Sequence, residues 1–141
     1  MTTLPASVTV ADLEPLLAAL RFDDAGLVPA IAQQVGTGEV WMMAWMNRDA
    51  VIETVTTGRV CYWSRSRRAL WRKGESSGQV QLLTELSIDC DGDTLLLTVD
   101  QTGVACHTGR RSCFYRAWRD GALTILQPVI TAPEELYRSR S

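Results

Sequence analysis

Residues 79–88, QVQLLTELSI, alternate: odd positions carry Gln79, Gln81, Leu83, Glu85 and Ser87, and even positions carry Val80, Leu82, Thr84, Leu86 and Ile88. A two-residue period sends the two sets to opposite faces of an extended chain. The segment therefore predicts a half-buried antiparallel strand with its even residues against a core. Residues 94–100 are its expected partner. Residues 27–35 and 40–46, on either side of Gly36-Thr37-Gly38, read as a hairpin of buried strands, with further short strands at 60–64 and 114–118. After Met46 the period changes. Asn47 can cap, Asp49 suits a first helical turn, Val51 and Val55 share a face and Gly58 is a stop, which predicts a helix over 47–57. Residues 12–20 are a short apolar segment whose helix is limited by Pro15, residues 23–26 read as a turn, and 134–138 as a short terminal helix. The expected fold class is α+β and β-rich, mainly antiparallel strands with one or two short helices. With no repeat, low-complexity stretch or long linker, residues 1–141 are expected to form one domain, large enough to bury a core without disulfides.

Fourteen cations against sixteen carboxylates give a formal charge of −2, which argues against general attraction to nucleic acid or to an anionic membrane. The first twenty residues carry Asp12 and Glu14 and no Lys or Arg, unlike the start of a secretory signal. The longest apolar run, residues 40–46, falls well short of the ~20 residues a spanning helix needs. A cytoplasmic protein is expected. In that reducing compartment the four cysteines are thiolate ligands, nucleophiles or small core residues rather than disulfides. Scarcity narrows the candidates further, because His107 is the only histidine and Lys73 the only lysine among thirteen arginines.

Three clusters could carry chemistry. In Asp89-Cys90-Asp91-Gly92-Asp93, hard carboxylate oxygens at a spacing of two suit Mg²⁺, while the thiol suits a softer ion such as Zn²⁺. The same residues also read as a plain two-residue Asp-Gly hairpin turn, in which the three carboxylates would not converge. Cys106 and Cys113 lie seven positions apart with His107 beside the first; with Cys90 they make three thiolates, the number that leaves a zinc ion one open position for water. A fourth ligand in His107 would close the site, and buried cysteines filling core gaps are the plain alternative. A centre with three thiolates acidifies its water less than one with neutral ligands, so a base is needed, and His107 is the one side chain whose unperturbed pKa of ~6.5 suits that task. It is otherwise an ordinary loop residue. The third cluster, residues 59–73, holds six of the fourteen cations interleaved with Tyr62, Trp63 and Trp71. Arginine forks match phosphate oxygens and an aromatic face stacks on a base, as in a nucleotide site; an arginine-guarded edge strand has the same composition. A single-stranded nucleic-acid platform would use these residues too, but the acidic chain makes it the weaker option.

Together the clusters resemble one family, the phosphoribosyl-AMP cyclohydrolases of histidine biosynthesis. The resemblance runs from about Val40 through Phe114. It rests on Ser64-Arg65-Ser66-Arg67, Leu70-Trp71, Lys73-Gly74-Glu75, Ser77-Gly78, Asp89-Cys90-Asp91-Gly92-Asp93, Gly103, Cys106-His107-Thr108-Gly109 and Cys113-Phe114. Val104 stands where the family often has Pro, and Trp45 where Tyr is common. The resemblance implies hydrolytic opening of the adenine ring of 1-(5-phosphoribosyl)-AMP between N1 and C6, giving the formimino carboxamide ribotide, with a zinc-activated water as nucleophile. It also implies an intertwined homodimer with one Zn²⁺ and one Mg²⁺ per subunit. Cys90 of one subunit and Cys106 and Cys113 of the other would hold zinc, and Asp89, Asp91 and Asp93 magnesium. His107 is the expected proton carrier, and Arg65, Arg67, Trp71, Lys73, Glu75 and Ser77 the expected substrate residues. No fused pyrophosphohydrolase domain is expected. The rival reading is a non-catalytic, zinc-stapled nucleotide-binding module.

Overall fold

The computed structural model describes residues 8–138. A 3-10 turn at Ala11–Leu13 leads into α1 (Glu14–Ala19), with Pro15 in its first turn. Asp23 then makes the turn expected at 23–26, its Oδ1 accepting the backbone N–H groups of Ala25 and Leu27 at 2.9 Å each. The hairpin β1 (Val28–Gln34) and β2 (Val40–Met46) follows, then α2 (Arg48–Thr57), β3 (Cys61–Ser64), β4 (Ala69–Arg72), β5 (Gln81–Ile88) and β6 (Leu95–Gln101). These six strands form one sheet in the order β4-β3-β2-β1-β6-β5. All neighbours are antiparallel except β1 and β6, which run parallel. A separate two-stranded hairpin, β7 (Arg116–Arg119) with β8 (Ala122–Ile125), and α3 (Pro133–Arg138) complete the described chain. The α+β, β-rich class expected from the sequence holds. There are three short helices instead of one or two, and β4 and β8 are additional strands.

One face of the sheet carries the core. Val28, Ala30 and Ala32 of β1 and Leu95, Leu97 and Val99 of β6 pack with Ala50, Val51 and Val55 of α2 and with Leu13, Leu17 and Leu20 around α1. Cys61 lies wholly inside this cluster. Burial pushes its thiol up to about 12, as expected of a core residue rather than a reactive one. The helix α2 begins and ends where its caps predict: Asn47 accepts the N–H of Ala50 at 2.8 Å, and Gly58 closes the last turn. Removing that cap with Asn47→Ala should cost about 1 kcal/mol, measured as a lower urea midpoint at an unchanged slope.

The alternation in β5 is real but does not keep one set of residues inside. Gln81 and Leu83, both odd, are buried, while Leu82 is 46% exposed. The register against β6 shifts between Leu83 and Glu85. That bulge at Thr84 adds one residue and reverses the faces, so that Leu86 and Ile88 return to the core. Hydrophobicity alone misassigns the first half, because the buried Gln81 is held by hydrogen bonds to Tyr62 and Gln101 instead of by apolar contact.

Candidate functional site

At the end of the sheet beyond the C-terminus of β6, the chain turns through residues 102–115, and this loop is locally built. Ala105 N donates to Arg111 O at 3.1 Å and Cys106 N to Arg110 O at 3.2 Å, folding the segment on itself. Ser112, buried, donates its hydroxyl to Val40 O at 2.8 Å, and Cys113 N donates to Trp41 O at 2.8 Å, so β2 anchors the far arm. The fold brings Cys106 and Cys113 together across a cavity of about 230 Å³. Cys106 is buried and its Sγ accepts the Thr108 hydroxyl at 3.1 Å. Cys113 is exposed as a residue, but its thiol is turned toward Cys106 and Lys73. Desolvation first, and the adjacent Cys106 second, push it up to about 12, with Lys73 working against both. His107, exposed, lines the same cavity.

The opposite wall comes from the β3–β4 hairpin and the loop after it. Arg67 and Trp71 reach the cavity from the hairpin, and Glu75, Ser76 and Ser77 from the loop. Lys73 is the surprise. It is buried, its ammonium donates to the Ala105 carbonyl, and it lies 5.7 Å from the centre of the Trp71 ring. Burial pulls its pKa below the ordinary lysine value, while the Cys113 and Cys106 thiols pull it back up. The ammonium opposes, without cancelling, the burial that keeps the Cys113 thiol neutral. Arg65 does not line the cavity; its guanidinium lies over the Trp45 ring at 4.9 Å.

Asp89, Asp91 and Asp93 form the loop between β5 and β6. One carboxylate oxygen from each lies within 4.8 Å of the others, the one such cluster of possible metal-binding residues among the described residues. The two-residue turn is not what forms. Asp89 N donates to Thr94 O, and Asp89 Oδ1 accepts from the backbone of Asp93 and Thr94, leaving a four-residue loop in which the carboxylates converge. Crowding by Asp91 first and Asp89 second holds the Asp93 carboxyl above its ordinary range. Three hard, exposed oxygens with open space for waters suit Mg²⁺. Cys90, exposed in this loop, lies before the start of β6, whereas Cys106 follows its end. The six residue steps of β6 span roughly 20 Å, so the two thiols flank opposite ends of one strand.

Sequence reasoning missed Met42, Gln79, Val104 and Ala105, all of which line the cavity. The first two fall in segments whose pattern predicts strand, and no local signal says which strand end will border a pocket.

A cavity in which two thiols and an imidazole face a cation, an arginine and a half-buried indole defines an enzyme site for a small polar molecule. The model of the phosphoribosyl-AMP cyclohydrolase family matches residues 42–115, which contain every lining residue. Proteins named phosphoribosyl-AMP cyclohydrolase are similar along nearly the whole chain. That of Rhodospirillum centenum is 68% identical over 92% of this chain and 98% of its own, and that of Granulibacter bethesdensis 67% over 85% and 94%. That of Alkalilimnicola ehrlichii is 69% identical over 89% of each chain. The chain belongs to the phosphoribosyl-AMP cyclohydrolase family. No helix among the described residues is long and apolar enough to cross a membrane.

Proposed function

We propose that this chain hydrolyses 1-(5-phosphoribosyl)-AMP to the formimino carboxamide ribotide in the cytoplasmic synthesis of histidine. The observation that carries this reading is the single cavity joining Cys106, His107 and Cys113 to Arg67, Trp71, Lys73, Glu75 and Ser77. Water adds at C6 of the adenine ring, the C6–N1 bond breaks, C6 keeps the exocyclic nitrogen as a carboxamide, and N1 leaves with a proton. Something must therefore remove a proton from water and return one to N1. His107 is in the right wall to do both.

The donor set fits zinc. Two facing thiols are soft ligands, the buried ammonium beside them offsets part of the cost of ionising them, and Cys90 of a second copy would be the third. A zinc ion held there would acidify a water and so supply the nucleophile. Asp89, Asp91 and Asp93 would hold Mg²⁺, which offsets phosphate charge. Arg67, with its planar fork, and the Ser77 hydroxyl hold phosphate oxygens, and the Trp71 face flanks the base. Lys73 donates to the Ala105 carbonyl from within the wall, beside the thiols.

A homodimer completes this site. Phe114, Trp118, Leu123, Ile125 and Ile130 are 57–71% exposed, an apolar face that begins one residue after Cys113. A second copy is the occupant that both covers this face and supplies a third thiol.

The test is turnover of phosphoribosyl-AMP by metal-stripped protein given Zn²⁺, Mg²⁺, both or neither, read by ultraviolet absorbance. Full activity is expected only with both metals. Zinc bound without any absorbance change would instead establish the binding-module alternative, and tight, steeply salt-dependent oligonucleotide binding would favour a nucleic-acid platform. His107→Ala should keep zinc and lose roughly 10²- to 10⁴-fold in kcat; zinc lost with it would make His107 a ligand.

A further inference from the structure

We propose that Gln79 is the positioning residue that fixes the substrate-side loop against the loop carrying Cys106 and His107. The inference rests on the proposed reading of the cavity. Gln79 lies two positions before the start of β5, and both ends of its amide are committed. Its Nε2 donates to Ser77 O at 3.2 Å, and its Oε1 accepts the Val104 N–H at 2.8 Å. Ser77 belongs to the loop that follows β4, and Val104 lies two residues before Cys106. One side chain thus ties two walls that are 27 positions apart in sequence.

Two observations show that this tie is built. First, Gly103 makes room for it: a Cβ at that position would fall 1.6 Å from Gln79 Oε1, and its φ of +66° is one that other residues avoid. Second, a relay of amides runs back into the core and holds Gln79 by its backbone. The buried Tyr62 hydroxyl donates to Gln81 Oε1 at 2.7 Å, Gln81 Nε2 donates to Gln101 Oε1 at 2.8 Å, and Gln101 Nε2 donates to Gln79 O at 3.0 Å. Because the phenol enters as a donor and Gln79 O can only accept, each amide in the relay has one satisfied orientation. The Gln79 amide is fixed in the same way, since the Val104 N–H can only donate.

Such a tie acts on the reaction through distance. His107 and the thiols stand on one wall and the substrate contacts on the other, and a shift of ~1 Å between reacting groups costs on the order of 10²-fold in rate. Gln79 itself makes no step of the reaction.

The test uses the metal-loaded protein. Gln79→Met keeps length and volume and removes both side-chain hydrogen bonds; Gln79→Glu keeps an acceptor for Val104 but cannot donate to Ser77. The Met variant is expected to lose roughly 10- to 100-fold in kcat per folded molecule, with KM changed by less than about threefold and zinc content unchanged. The Glu variant should recover part of that loss, and hydrogen exchange at the Val104 amide should quicken in the Met variant. Gly103→Ala should reproduce the defect, and the double variant Gln79→Met with Gly103→Ala should be no worse than the poorer single one, because both break the same contact. A Met variant within about twofold of the parent in kcat would overturn the proposal, as would fully multiplicative losses. A loss of folded fraction with normal kcat per folded molecule would overturn it too, by making Gln79 merely structural. If the Met variant does not fold, the partial loss in the Glu variant and the non-additivity of Gln79→Glu with Gly103→Ala decide in its place. A parent protein that fails to turn over phosphoribosyl-AMP would overturn the reading of the cavity itself, a result distinct from an active parent with an unaffected variant.

Discussion

Cys106→Ser is expected to abolish turnover, by at least roughly 10³-fold, while the chain still folds. The reason lies in what the sulfur touches. Its partner within the loop is the Thr108 hydroxyl, and a serine oxygen can still accept that bond. The backbone bonds that shape the loop, Cys106 N to Arg110 O and Gly109 N to Cys106 O, do not involve the side chain. What serine cannot replace is a soft, ionisable donor beside Cys113 and the Lys73 ammonium. Zinc per chain, measured by atomic absorption, should fall from near one to near zero. Far-ultraviolet circular dichroism should match that of the metal-free parent. A Cys106→Ser variant that turns over substrate without zinc would show that the thiol pair is not a metal site.

The parts of this fold that were legible in the sequence are those set by local rules. Asn47, Val51, Val55 and Gly58 mark α2 to the residue, and the glycines at 36 and 38 bracket the β1–β2 hairpin. The parts that were not legible depend on distant partners. The bulge at Thr84 reverses β5 because Gln81 finds Tyr62, 19 positions away, and no periodicity can report that. The four-residue loop closed by Asp89 and Thr94 forms in place of an Asp-Gly turn because Asp89 Oδ1 caps two backbone N–H groups, which a donor-acceptor count in the sequence does not reveal. The candidate site divides in the same way. Its candidate residues stand out as rare types, a lone histidine, a lone lysine and clustered cysteines and aspartates. Its walls do not. Lys73 is buried in the wall with its ammonium on the Ala105 carbonyl, 32 positions away, and Met42, Gln79 and Val104 enter the cavity only through the packing of β2, the residues before β5 and the loop after β6.

The position of Cys90 permits the most demanding test of a site shared between two copies. Within one chain Cys90 and Cys106 flank opposite ends of β6, so a zinc ion held by Cys90, Cys106 and Cys113 requires thiols from different copies. Cys90→Ser and Cys106→Ser should each be inactive alone. When the two are unfolded, mixed in equal amounts and refolded together, half of the dimers pair one variant with the other. In each mixed dimer one site inherits both defects, while the other takes an intact Cys90 from one chain and an intact Cys106 and Cys113 from its partner. Activity should therefore return to roughly a quarter of the parent value. The control follows from the same geometry: His107 neighbours Cys106 on one loop and lines the same cavity, so His107→Ala mixed with Cys106→Ser leaves no intact site in any dimer and should give no recovery. His107→Ala mixed with Cys90→Ser should recover as the first pair does. No recovery in either Cys90 mixture, with mixed dimers verified by mass, would mean that each copy builds its site alone and that Cys90 is not a ligand.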